Sequence, residues 1–107
     1  MSKSWTITRG DHSGPAVHPG RILREELAVR RLSANRFALA LGVPSGRITD
    51  ILNHRRSITA DTALRLGTFF GNRPEFWLEL QADYDLAVVR REKGKEIART
   101  VRPPAAA

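Results

Sequence analysis

Ser33-Ala34-Asn35-Arg36-Phe37-Ala38-Leu39-Ala40-Leu41-Gly42-Val43-Pro44-Ser45-Gly46-Arg47-Ile48-Thr49-Asp50-Ile51-Leu52-Asn53 is the stretch that decides the fold. Ser33 suits a helix N-cap, because its hydroxyl can accept an N–H that the first turn leaves unpaired. Phe37, Ala38 and Leu41 then share one face, and Gly42 tolerates the left-handed backbone that ends a helix. A second short helix runs from about Pro44 to Leu52 and turns Ile48, Ile51 and Leu52 inward. Ala38 is small where the two helices approach, Val43 is an apolar plug in the turn, and Ile48 anchors the second helix. Any one of these features is common in helical hairpins. Together, with a basic loop after them, they define a helix-turn-helix.

The outward face of the second helix has the polarity that a DNA major groove requires: Ser45, Arg47, Thr49 and Asp50. Ser45 and Arg47, at its start, are expected nearest base edges or a flanking phosphate. Asp50 has the chemistry to accept from a cytosine amino group, and equally to buttress Arg47. Gly46 costs up to ~1 kcal/mol in a helix interior and less in a first turn, where it lets the backbone come close to DNA. Asn53, His54, Arg55 and Arg56 follow as a loop and read as phosphate clamps; Ser33 and Arg36 can do the same from the first helix of the pair. A lone arginine reads equally well as a solvated surface charge.

Outward from this unit the chain stays helical. Pro19, behind His18 and before Gly20, suits a first turn, and Ile22, Leu23 and Leu27 make a stripe behind it. Downstream, Thr59 is a second good N-cap. Ala63, Leu66, Gly67 and Phe70 fall at i, i+3, i+4 and i+7, and Gly71 ends that helix. A fifth helix follows Asn72-Arg73-Pro74, with Trp77, Leu80 and Tyr84 on one face, and is expected to end near Val89. The expected architecture is all-α: a five-helix bundle over residues 18–89. An arm over 1–17 precedes it, with Trp5-Thr6-Ile7-Thr8 as a short strand, and a charged, disordered tail over 90–107 follows.

Composition agrees with a nucleic-acid partner. Among 107 residues, 18 Lys plus Arg face 11 Asp plus Glu, a formal charge of +7 that favours a polyanion. There is no cysteine, so disulfides and thiolate metal sites are excluded. His12, His18 and His54 lack ligand spacing, and no nucleophile–base pairing stands out; Asp83 and Asp85 have nothing nearby to complete a site. The expectation is a cytoplasmic protein with no enzymatic activity, no metal, no cofactor and no membrane span.

Several segments are similar to one family. His18-Pro19-Gly20-Arg21-Ile22-Leu23-Arg24-Glu25-Glu26, Leu32–Ala38 and Arg56–Leu66 resemble HigA-type antitoxins, within the phage-repressor-like (XRE) class. Pro74–Leu86 is the most specific of these matches, and the resemblance spans about residues 18–88. It implies a homodimer that binds a palindromic operator of its own operon and represses it. It also implies a small RelE-like (HigB-type) toxin partner that cleaves mRNA on the ribosome. The alternative is a phage-like regulator without a toxin. A third reading, that the chain is itself such a small basic toxin, conflicts with its helical pattern, since those folds are rich in strands. Glu75, Glu79 and Asp83 form an acidic stripe suited to a basic partner, with a solvated face as its plainer reading; Phe69, Leu78, Leu86, Val88 and Val89 lie off the packed stripes and suit a dimer or toxin interface. The chain departs from the family at three places. Arg73 stands where a Ser or Thr cap is usual, leaving Asn72 to cap. Gly67 replaces a more usual alanine and is expected to loosen its helix. Gly46 is an unusual base reader, so sequence preference does not carry over.

Overall fold

A computed structural model describes residues 16–105. Within them the chain forms α1 (Pro19–Arg30), α2 (Ala34–Leu41), α3 (Ser45–Leu52), α4 (Ala60–Phe70) and α5 (Pro74–Thr100), with no strand among the described residues. The strand expected at Trp5–Thr8 lies outside them. No helix among the described residues is long and apolar enough to cross a membrane.

Each helix begins and ends for a local reason. Ser33 Oγ accepts from Arg36 N–H at 3.1 Å and Thr59 Oγ1 from Thr62 N–H at 3.4 Å, as the N-cap reading requires. Gly42 and Gly71 close α2 and α4 at φ +73° and +75°. His18 caps α1 through its ring, with Nδ1 accepting from Gly20 N–H at 2.9 Å. Arg73 gives α5 no side-chain cap, and Asn72 does not replace it. Asn72 Oδ1 instead accepts from Trp77 Nε1–H at 3.2 Å, inside the fold.

The core is continuous across all five helices. Leu23, Phe37, Ile48, Ile51, Ala63, Leu66 and Trp77 have no exposed surface. α3 lies against α1 and α2, and α5 lies against α4 and α1. The seat of α1 on α3 admits only glycine at one point: a Cβ on Gly20 would stand 2.0 Å from the Ile51 carbonyl oxygen.

Two expectations need correction. α5 continues to Thr100 rather than ending near Val89. Arg90, Arg91, Glu92, Lys93, Lys95 and Glu96 are good helix formers, and no proline appears before Pro103; charge alone does not melt such a run. The last turns are exposed and stand beyond the core. Gly94 lies among them, where a Cβ would meet nothing nearer than Arg90 Cβ at 4.0 Å. Gly67, in contrast, is required. A Cβ there would stand 2.7 Å from the Asn72 carbonyl oxygen and 3.1 Å from Pro74 Cγ, so glycine lets the α4–α5 turn fold back onto α4.

Replacing Gly67 by alanine is therefore expected to destabilise, although alanine is the better helix former. Overpacking of this kind costs about 1–3 kcal/mol. It should appear as a lower urea midpoint at unchanged slope; an equal or higher midpoint would show that the turn relaxes freely.

Candidate nucleic-acid interface

α3 has three inward residues, Ile48, Ile51 and Leu52, and at 3.6 residues per turn the centre of its opposite face falls near Gly46 and Asp50. Ser45 and Thr49 flank that centre on one side and Arg47 on the other. Ser45, Gly46 and Thr49 are exposed, and a Cβ at Gly46 would meet nothing within 4 Å. The backbone there is open to close approach. Thr49 Oγ1–H donates to the Ser45 carbonyl at 3.0 Å.

The charged residues are tethered, and not always as their spacing suggests. Asp50 does not buttress Arg47. Its carboxylate holds the two loop arginines, Arg55 at 3.5 Å and Arg56 at 3.7 Å. Arg47 instead turns toward α4, where its Nη1–H donates to Asp61 Oδ1 at 2.8 Å. Asn53 Oδ1 accepts from Arg24 Nη2–H at 3.2 Å, and the same nitrogen donates to the Leu52 carbonyl at 3.1 Å. Arg24 thus ties α1 to the end of α3, a role that its place on the flank of the α1 stripe does not announce. Ser33 caps α2 while staying exposed, and Arg36 projects from the next turn with no ion pair among the described residues. Arg47 is thus held at the start of α3 by Asp61, and Arg55 and Arg56 behind it by Asp50, two carboxylates among three arginines.

The loop behind α3 is also held from within. Gln81 on α5 is 5 % exposed and uses both ends of its amide. Oε1 accepts from Ile58 N–H at 2.8 Å, and Nε2–H donates to Asp85 at 3.0 Å. His54 exits α3 at φ +62° and its ring stacks on His18, centroids 4.6 Å apart and 13° from parallel. Tyr84 meets the same His18 ring edge-on at 5.0 Å. Neither the two histidines nor Gln81 carried a spacing signal for these contacts. Among the described residues no cluster of three metal-ligating side chains forms.

The second candidate set does not occupy one surface. Leu78, Leu86 and Val89 are exposed on the outer side of α5, whereas Val88 is half-buried on its inner side. Phe69 is 39 % exposed, but its ring lies edge-on to Phe37 at 5.1 Å and Phe70 at 5.0 Å. Glu75 pairs with Arg73 at 3.7 Å, Glu79 is exposed and Asp83 half-buried.

A short turn closed by Gly42, with α3 presented outward across it, places the chain among helix-turn-helix proteins. Known proteins narrow this further. Virulence-associated protein I of Dichelobacter nodosus is 47 % identical over 89 residues, 82 % of this chain and 82 % of that protein. A solved addiction module antidote protein of a HigA family from Coxiella burnetii is 51 % identical; the match covers 85 % of this chain and all of the other at a TM-score of 0.81. The Pseudomonas aeruginosa antitoxin HigA, solved with the higBA promoter, is 38 % identical over 84 % of this chain and 99 % of its own, with a TM-score of 0.80. No protein-family model matches. The chain belongs to the HigA-type antitoxin family.

The His18 contacts make stability depend on pH. Burial, then the neighbouring His54, push the His18 ring below its ordinary value of 6.5, against an opposing pull from Asp85. The folded state thus favours the neutral ring, whose Nδ1 must stay unprotonated to cap α1. This contribution is full above pH 6.5 and shrinks as pH falls through 6.5 toward the lower folded value. The urea midpoint is expected to drop between pH 7.5 and 5.5, and His18→Asn, an acceptor that does not titrate, to flatten that drop. An unchanged drop in the variant would move its source elsewhere.

Proposed function

We propose that the chain is a sequence-specific DNA-binding repressor and antitoxin: as a homodimer it binds a palindromic operator of its own operon, and it neutralises a RelE-like (HigB-type) toxin. The observation that carries the DNA half is the outward face of α3. Ser45, Gly46, Thr49 and Asp50 lie there, with Arg47 in the first turn, Arg55 and Arg56 paired to Asp50, and Arg36 exposed on α2. Such a face reads bases from the helix and grips phosphates from its rim. The Pseudomonas relative solved with its promoter supports the same assignment. Ser33 and Asn53 would add backbone contacts at the two ends.

The dimer half rests on α5. Leu78, Leu86 and Val89 recur on its outer side and remain exposed, and covering them with a second copy would remove apolar surface from water. A two-fold axis would set two α3 helices about one DNA turn apart. Toxin capture is supported by family membership, with Phe69, Val88 and the acids Glu75, Glu79 and Asp83 as its candidate surface. A regulator that lacks a toxin would keep the DNA face and need none of these acids. The proposal places the protein in the cytoplasm, where its operon and the ribosomes lie.

Each phosphate released from its counterions contributes about 0.9 to the salt slope of binding. Arg55→Ala with Arg56→Ala should therefore flatten the plot of log affinity against log salt by about two units if both grip phosphate. An unchanged slope would remove them from the interface. Co-expression with each flanking gene, followed by pull-down, tests the second half. A small basic protein that co-purifies, and is toxic when expressed alone, is the expected outcome; recovery of the chain alone from both would favour the regulator without a toxin.

A further inference from the structure

We infer that Asp61, which lies on α4 and outside the recognition helix, is the positioning residue that sets how Arg47 meets DNA. The inference rests on the DNA-binding reading above. Arg47 Nη1 donates to Asp61 Oδ1 at 2.8 Å and comes within 3.5 Å of Thr62 Oγ1. The same carboxylate oxygen accepts from Arg65 Nε–H at 2.8 Å, and Arg65 Nη1–H donates to the Leu41 carbonyl at 2.9 Å. A chain of polar contacts therefore runs from the last residue of α2, through two side chains of α4, to the first turn of α3. It spans the turn Gly42–Pro44 from outside and ends on a candidate base reader.

Two physical consequences follow. A guanidinium held at one nitrogen offers its remaining donors in a fixed direction, so part of the ordering cost is met before DNA arrives. The carboxylate also belongs to the basic face itself. The hydrogen bonds from Arg65 and then Arg47 hold Asp61 below the usual carboxylate range, so it stays charged near neutral pH. A charged acid there repels phosphate wherever Arg47 is not docked in its cognate position, which disfavours non-cognate duplexes more than cognate ones. A first-turn acid also suits the positive end of α4. That role alone would change stability and leave discrimination untouched.

The test uses the full chain and a duplex enriched by it from a randomised double-stranded pool, with a scrambled duplex of the same composition as reference. Fluorescence anisotropy at one salt concentration gives the affinity ratio between them. For Asp61→Asn, which keeps the shape and loses the charge, the ratio should fall about tenfold, with looser binding to the enriched duplex and tighter binding to the scrambled one. Arg47→Ala should lose the same discrimination, and adding Asp61→Asn to it should take away little more. Asp61→Glu should recover part of the ratio. A thermal melt accompanies each variant, and Asp61→Ser replaces Asp61→Asn if the latter has unfolded at the assay temperature. A wild-type ratio in the Asp61 variants, or an undiminished effect of Asp61→Asn on the Arg47→Ala background, overturns the inference. Unaltered discrimination in Arg47→Ala also overturns it, because Asp61 would have no reader to position, while the DNA reading stands. Failure of the pool to yield any preferred sequence overturns the DNA reading and this inference together.

Discussion

An eight-residue helix does not hold itself in water, and α3 is one. Nucleating a turn fixes several dihedral angles for a single hydrogen bond, so a helix this short persists only through tertiary burial. Ile48 and Ile51, fully buried, and Leu52, nearly so, supply that burial. The other helices can be understood as the walls this contact needs. α2 packs on one side through Phe37 and Ala38. α1 packs on the other, close enough that Gly20 must lack a side chain. α5 packs on α4 and α1 and sets Trp77 against Phe70 of α4. The polar face of α3 is free for another molecule because its apolar face is so completely occupied.

The same logic extends to the loop that leaves α3. Residues 53–59 contain no regular structure, yet Gln81 holds Ile58 from α5, Arg24 holds Asn53 from α1, and the His18 ring lies flat against His54. Arg55 and Arg56 therefore project from a tethered segment, and their shared carboxylate, Asp50, belongs to α3 itself. Stability and presentation are joined at His18. The ring that caps α1 is the ring on which the loop stacks, so a change in its charge reaches both.

What was legible in the chain was what local chemistry decides. The five helices, the caps at Ser33 and Thr59, the Gly42 turn and the inward set of α3 all follow from period and end signals within a few residues. The missed features are those made by distant residues meeting. Arg47 and Asp61 are 14 residues apart, Arg24 and Asn53 29, and no periodicity links them. Asn72 has the right chemistry for a cap, but the indole N–H of Trp77 engages its oxygen instead. Gly67 is a poor helix former by propensity, and the Asn72 carbonyl 2.7 Å from where its Cβ would stand is what requires it. The end of α5 was missed for another reason. Its charges suggested a solvated tail, whereas the same side chains favour helix in the absence of proline. Of the candidate DNA-contact residues, Ser45, Gly46 and Thr49 are exposed on α3, Arg47 turns to Asp61 and Arg55 and Arg56 to Asp50, while the second set divides between two sides of α5 and the edge of α4.

Three glycines described above differ in what they do. Gly20 and Gly67 stand where any side chain would strike a carbonyl oxygen, and the fold cannot do without them. Gly94 stands where a Cβ would meet nothing nearer than Arg90 Cβ at 4.0 Å, in turns of α5 that no other described helix supports. It saves no steric clash, and a glycine inside a helix costs roughly 0.5–1 kcal/mol relative to alanine. The longest described helix therefore carries a glycine where no other described helix braces it. Up to the core, α5 is a structural beam; past Gly94 it is a short arm against which no other described helix packs.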